Sequence, residues 1–150
     1  MQALKSLGVA LLDLSDTELA GLGLDERLLD AVQAARSMKS HEALRRQKQY
    51  IGKLMQDVDP APINALLDRR RAADRREKRV FANAERWRDR LVREGRPVLA
   101  EFKAEVGPAP ELDRVLADLE HAFSDRAEKT LKRELFRHIH DALAARAGDR

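Results

Sequence analysis

Leu4, Leu7, Leu11 and Leu14 recur at helical spacing with polar or small residues between them, so residues 2–14 are expected to form a first amphipathic helix. Asp16 stands where it can cap a short helix that closes near Gly21 and Gly23. Asp25, with Glu26 in the following turn, predicts the start of a further helix running to about Met55. The stretch "DVDPAP" (57–62) interrupts the pattern, with Asp59 as a cap and Pro60 or Pro62 in the first turn of the next helix.

That next helix should be the longest. No Pro or Gly occurs from Ile63 to Glu94, a span of roughly 48 Å at 1.5 Å per residue. Its large apolar residues gather at the two ends: Ile63, Leu66 and Leu67, then Val80, Phe81, Trp87, Leu91 and Val92. Between them "DRRRAADRREKR" (68–79) holds nothing apolar larger than alanine and cannot be buried in a core. The pattern predicts a solvated helical connector. Beyond it come a short helix with Val98, Leu99, Phe102 and Val106, and a helix over 111–123 with Leu112, Val115, Leu116, Leu119 and Phe123 on one face. A polar connection over 124–129 then leads to a last helix over 130–147 with Leu131, Leu135, Phe136, Ile139 and Leu143 inward. The expected fold is all-α and dumbbell-like: two small bundles of about three helices each, sharing one long helix. The expected divisions are an N-terminal lobe over 1–67, a charged connector over 68–79 and a C-terminal lobe over 80–150.

Composition supports the helical reading. Charged residues make up 37% of the 150 and aromatics only 4%, and strand-favouring residues are scarce. There is no cysteine, so disulfides and Cys-based zinc sites are excluded. No run has the length of a membrane span, and the first residues lack the pattern of a signal peptide, which leads us to expect a cytoplasmic protein without a membrane partner.

Charge changes the picture further. The net charge of +3 conceals 17 Lys/Arg against 8 Asp/Glu between Arg36 and Arg93, while the rest of the chain is acidic. Such separation suggests that the middle meets a polyanion. On a helical wheel running through residues 25–55, Leu29, Val32, Ala43, Tyr50, Ile51 and Leu54 fall on one stripe, which should be buried. His41, Arg45, Lys48, Gln49 and Gly52 fall on the far side, and Lys39, Arg46 and Lys53 along one flank. Two readings of an exposed Gly52 stand side by side: close approach of a phosphate strand, or tolerated drift with a local bend. Tyr50 and Trp87, on apolar stripes, are expected in the core. In 69–79, seven Lys/Arg face two acids, so Arg70, Arg71, Arg75 and Arg76 are candidates for an external anion.

No catalytic constellation is visible. "HEALR" (41–45) begins like a zinc-protease motif but has Arg45 where the second histidine belongs. His138 and His140 lie two apart, on different helix faces. No enzyme, metal or cofactor is expected. Three roles compete: an RNA-binding factor, a helical protein–protein scaffold with a basic face for an acidic partner, and a DNA-binding module. For the last, the spacing of a helix-turn-helix is missing.

Two stretches carry a family resemblance. "SHEALRRQKQYIGKLM" (40–55) resembles the signature of the bacterial YjgA family, also called DarP, the dual-action ribosomal maturation proteins, and "ERWRDRL" (85–91) resembles its second signature. "LKSLGVALLDL" (4–14), "ELDRVLADLEHA" (111–122) and "ELFRHIHDAL" (134–143) follow in the expected order. One departure is "SDRAEKT" (124–130), with as many acids as bases where relatives tend to carry a Lys-rich link. The resemblance implies a non-enzymatic factor of the large (50S) ribosomal subunit and its late precursors, binding 23S rRNA near the developing peptidyl transferase region, and a monomer in solution. It implies two three-helix bundles joined by a long helix. Carried onto this chain, it implies RNA contacts by Lys39, His41, Arg45, Arg46, Lys48 and Lys53, followed by the connector arginines Arg70, Arg71, Arg75 and Arg76.

Overall fold

The computed structural model describes residues 2–148, and every regular element among them is helical. The order is α1 (Gln2–Ala10), a 3-10 turn, α2 (Asp16–Gly21), α3 (Glu26–Arg36), α4 (His41–Leu54), a second 3-10 turn, α5 (Ala61–Glu94), α6 (Arg96–Val106), α7 (Pro110–Glu120) and α8 (Asp125–Gly148). The all-α class and the long uninterrupted helix are as the pattern predicts. Contacts divide the chain into two compact units, Met1–Arg71 and Ala72–Arg150, with the boundary inside α5.

The first unit is built on Leu11, Leu14, Leu19, Leu28, Val32, Ile51, Met55 and Ile63. Ser15, not Asp16, caps α2. Its hydroxyl accepts the Glu18 N–H while the Glu18 carboxylate accepts the Ser15 N–H, a reciprocal capping box. Asp16 serves instead as an acceptor for Arg36 Nη1 at 2.8 Å and Gln33 Nε2 at 3.0 Å. Arg36 also donates to the Leu12 and Leu14 carbonyls, pinning the end of α3 to the segment after α1. Asp59 accepts from the Ala61 N–H at 3.1 Å and so starts α5 as expected.

The continuous helix expected over 25–55 is in fact two. α3 stops at Arg36, and α4 begins after Ser40, whose hydroxyl accepts the Ala43 N–H at 3.4 Å. Neither proline nor glycine marks this break. A serine able to satisfy an orphan helix N–H, followed by an acidic residue in the first turn, is sufficient.

The second unit has its own core. Ala84, Trp87 and Leu91 of α5 pack with Val98, Leu99 and Phe102 of α6, Leu112, Val115 and Leu116 of α7, and Leu135, Ile139 and Leu143 of α8. Trp87 is buried, its ring edge-on to Phe102 at 5.1 Å between centroids. Gly95 takes φ +76 between α5 and α6, a left-handed value that suits glycine at this tight junction. Two expectations fail here. α8 begins at Asp125, capped by the Ser124 hydroxyl, rather than at Thr130. α7 ends at Glu120, so Phe123 lies beyond it and is fully exposed instead of facing inward. Val92 and Phe81 are also substantially exposed, Phe81 resting edge-on against Phe136.

Candidate nucleic-acid interface

The break at 37–40 resets the phase of α4, and its true faces follow from what each side touches. Gln47 Nε2 donates to the Ala31 carbonyl at 2.9 Å, so that side meets α3. Ile51, Gly52 and Met55 are buried. A Cβ on Gly52 would sit 3.2 Å from Lys5 Cβ and Cγ, and one on Gly8 would sit 2.8 Å from Ile51 Cγ2 and Met55 Cγ. The two glycines therefore let α1 and α4 approach closely, each filled by the other helix. Gly52 is not exposed as the wheel predicts, and neither phosphate approach nor drift accounts for it; helix packing does.

The face left to solvent carries Glu42, Arg45, Arg46, Gln49, Tyr50 and Lys53, all exposed and within an arc of about 140° at 100° per residue. Tyr50, expected in the core, is 42% exposed and stands at one edge of this arc, one turn after Arg46 and three residues before Lys53. The error has one source: the wheel ran through a helix break. Restarted at Ser40, the same sequence turns Tyr50 outward and Gly52 inward.

The ten candidate cations do not behave alike. Arg46 and Lys53 lie on the open face without an ion-pair partner among the described residues; Arg45 meets only Glu42, three residues before it, at 2.7 Å, and both side chains are more than half exposed. Lys39 is exposed in the segment before the Ser40 cap, and His41 is exposed at the first position of α4. Lys48 is partly covered, on the shoulder nearer Gly52. Of the α5 arginines, Arg70 is engaged within its own unit. It donates to the Asp13 carbonyl at 3.3 Å and pairs with Glu18 at 3.7 Å. Arg71 pairs with Asp68 at 3.4 Å, while Arg75 and Arg76 are exposed and unpaired among the described residues. The structure thus gathers Arg45, Arg46 and Lys53 on one surface and leaves Arg70 as a tether.

Chemically the α4 surface offers positive charge, the amide of Gln49 and one aromatic ring. No group of His, Asp and Glu among the described residues is arranged to hold a metal ion. Among the described residues no helix is long and apolar enough to cross a membrane.

The family model of the dual-action ribosomal maturation protein DarP matches residues 1–140. The chain is 37% identical over 150 residues to a protein of that name from Thiobacillus denitrificans, an alignment covering 97% of this chain and 83% of the relative. It is 41% identical over 148 residues to one from Methylobacillus flagellatus, covering 95% and 80%. It is 35% identical over 153 residues to one from Nitrosospira multiformis, covering all of this chain and 84% of the relative. The match runs through both compact units, including α4 and the buried faces that hold it, and the chain belongs to the DarP family of dual-action ribosomal maturation proteins.

Proposed function

We propose that this chain is a non-enzymatic ribosomal maturation factor that binds 23S rRNA of the large-subunit precursor through the solvent face of α4. The observation that carries this reading is the set of exposed cations on one face of α4, Arg45, Arg46 and Lys53, of which only Arg45 meets a carboxylate, that of Glu42. Family membership supports the ribosomal context, because the relatives are named as ribosomal maturation proteins. Lys39, His41 and Lys48 flank the contact. Arg71, Arg75 and Arg76, in the charged connector expected over 68–79, are further candidate phosphate contacts, and Arg70 contributes mainly by fixing the start of α5. The protein acts in the cytoplasm as a monomer.

Phosphate contacts by these side chains make binding salt-dependent. If about four phosphates are neutralised, raising salt from 50 to 200 mM weakens binding by roughly 50- to 150-fold. The decisive experiment is sedimentation of a cell extract with the Arg46→Glu/Lys53→Glu variant. Both residues are exposed, so circular dichroism should remain that of the parent. The expected result is movement from large-subunit fractions to free fractions, matched by the parent protein after RNase treatment. A folded variant that still co-sediments, or a parent protein whose binding survives RNase, would overturn the reading; the latter result favours an acidic protein as the partner.

A further inference from the structure

We propose that Tyr50 is a stacking platform for an unpaired base, so that α4 recognises RNA at a bulge, loop or unpaired strand rather than along a regular duplex. This rests on the reading of α4 as the RNA-binding face and goes beyond it.

The chain has one tyrosine, and it stands 42% exposed on the solvent face of α4. The core of the first unit is complete without it, being filled from α4 by Ile51 and, just beyond the helix, Met55. Among the described residues the Tyr50 ring has no aromatic, cation–π or hydrogen-bond partner, whereas Trp87 and Phe136 each have ring or guanidinium neighbours. Its sequence neighbours on the surface are Arg46, one turn before, and Lys53, three residues after. Side chains at these spacings lie about 5–6 Å apart at Cβ. A base laid on the ring would therefore have Arg46 toward the N-terminal end of the helix and Lys53 toward its C-terminal end for its flanking phosphates.

Duplex RNA does not fit this arrangement. The A-form major groove is too deep and narrow for side chains to read, and the paired bases offer no free π-face to a ring on a straight helix surface. An unstacked base does, and stacking on aromatics is tolerant of base identity. Cations alone would bind any phosphate backbone; the ring supplies the preference for an unpaired site.

The test uses purified large-subunit precursor particles and four proteins: parent, Tyr50→Phe, Tyr50→Ala and Arg46→Gln/Lys53→Gln. Tyr50→Ala is expected to weaken binding roughly 5- to 150-fold with an unchanged salt slope. Tyr50→Phe, which keeps the ring, should bind as the parent does. The double glutamine variant should bind more weakly and lose a slope of roughly 0.7–0.9 per missing charge. Ultraviolet crosslinking of the bound parent protein should place a nucleotide adduct on the peptide containing Tyr50. Parent-like affinity for Tyr50→Ala overturns the proposal but leaves the RNA-binding face intact if the glutamine variant is impaired. A glutamine variant that binds like the parent removes the RNA-binding face and the proposal together. A peptide adduct in place of the nucleotide one, or loss of binding by Tyr50→Phe equal to that by Tyr50→Ala, assigns the ring another role and overturns it as well.

Discussion

Five surface cations of the second unit join its own helices, and those of α4 in the first unit join none. Arg90 of α5 meets Glu101 of α6 at 2.7 Å, Arg96 of α6 meets Glu120 of α7 at 3.4 Å, and Arg146 of α8 meets Glu105 of α6 at 3.4 Å. Lys103 pairs with Asp113, and Arg114 with Glu134, across the α6–α7 and α7–α8 contacts. On α4, by contrast, the one ion pair among the described residues is the intrahelical Arg45–Glu42 contact. Both regions are rich in arginine and lysine, so composition does not separate them. What separates them is whether a neighbouring helix supplies a carboxylate. A basic surface is open to an external anion only where its own fold has not already answered it.

The comparison can be pressed hardest at the two cores. Trp87→Ala empties a buried ring from the second unit and should cost roughly 3–5 kcal/mol, read by chemical denaturation. If the α4 face alone carries RNA affinity, binding at a temperature where this variant remains folded should match the parent protein. A smaller effect is expected from Gly8→Ala, which drives a methyl into Ile51 and Met55. Overpacking of about 1–3 kcal/mol, partly offset by about 1 kcal/mol of helix propensity, leaves a net loss on the order of 1 kcal/mol. Because α4 is what shifts, this variant should also weaken RNA binding, although no cation is touched.

Single charge removals should then sort the two regions. Arg114→Gln should lower the thermal midpoint measurably, since it unties α7 from α8, and leave RNA binding unchanged. Arg46→Gln should do the reverse. Along α5, Arg70→Gln should lower the midpoint while Arg75→Gln and Arg76→Gln leave it in place; equal behaviour of the three would show that the Asp13 and Glu18 contacts of Arg70 carry nothing.

The smallest effect concerns acid. The Glu134 carboxyl is held below its ordinary range, first by the hydrogen bond from Arg114, and Glu101 likewise by Arg90. In the first unit Asp16 is lowered by hydrogen bonds from Gln33 and then Arg36, and Glu18 first by the Ser15 N–H. A depressed folded-state pKa stabilises above the ordinary carboxylate value and is lost as pH falls through the lowered one. The midpoint should therefore be level near neutrality and decline below about pH 4. Glu134→Gln should flatten that decline in the second unit, and Arg46→Gln should not alter it.

Much of this architecture was legible in the apolar spacing. The Leu4–Leu7 spacing, the Trp87–Leu91 stripe and the charged stretch of α5 all predict helices that the structure contains, although the helix expected over 2–14 stops at Ala10 and passes into a 3-10 turn over Leu11–Asp13. What the pattern could not give was phase. Ser40 starts a second helix without a proline or glycine to announce it, so a single wheel over 25–55 rotates the faces of α4, although it still puts Ile51 inward and Arg45 outward. Gly52 and Tyr50 exchanged places for that reason. Arg70 was misread differently: sequence shows its charge, but its partners Asp13 and Glu18 come from more than fifty residues away. Phe123 failed because α7 stops at Glu120, one turn before the apolar spacing does.

The paired glycines of α1 and α4 also set an order of events during synthesis. Gly8 is made early, yet the surface that fills its hollow is Ile51 and Met55, and the surface that fills Gly52 is Lys5. At roughly 5–20 residues per second, the first helix waits several seconds with its apolar stripe unanswered until α4 has been translated. Any arrest or cleavage in that interval leaves a fragment that can neither bury α1 nor present the cations of α4. The support that α1 gives and the basic face that α4 presents thus become available together, once α4 has been made.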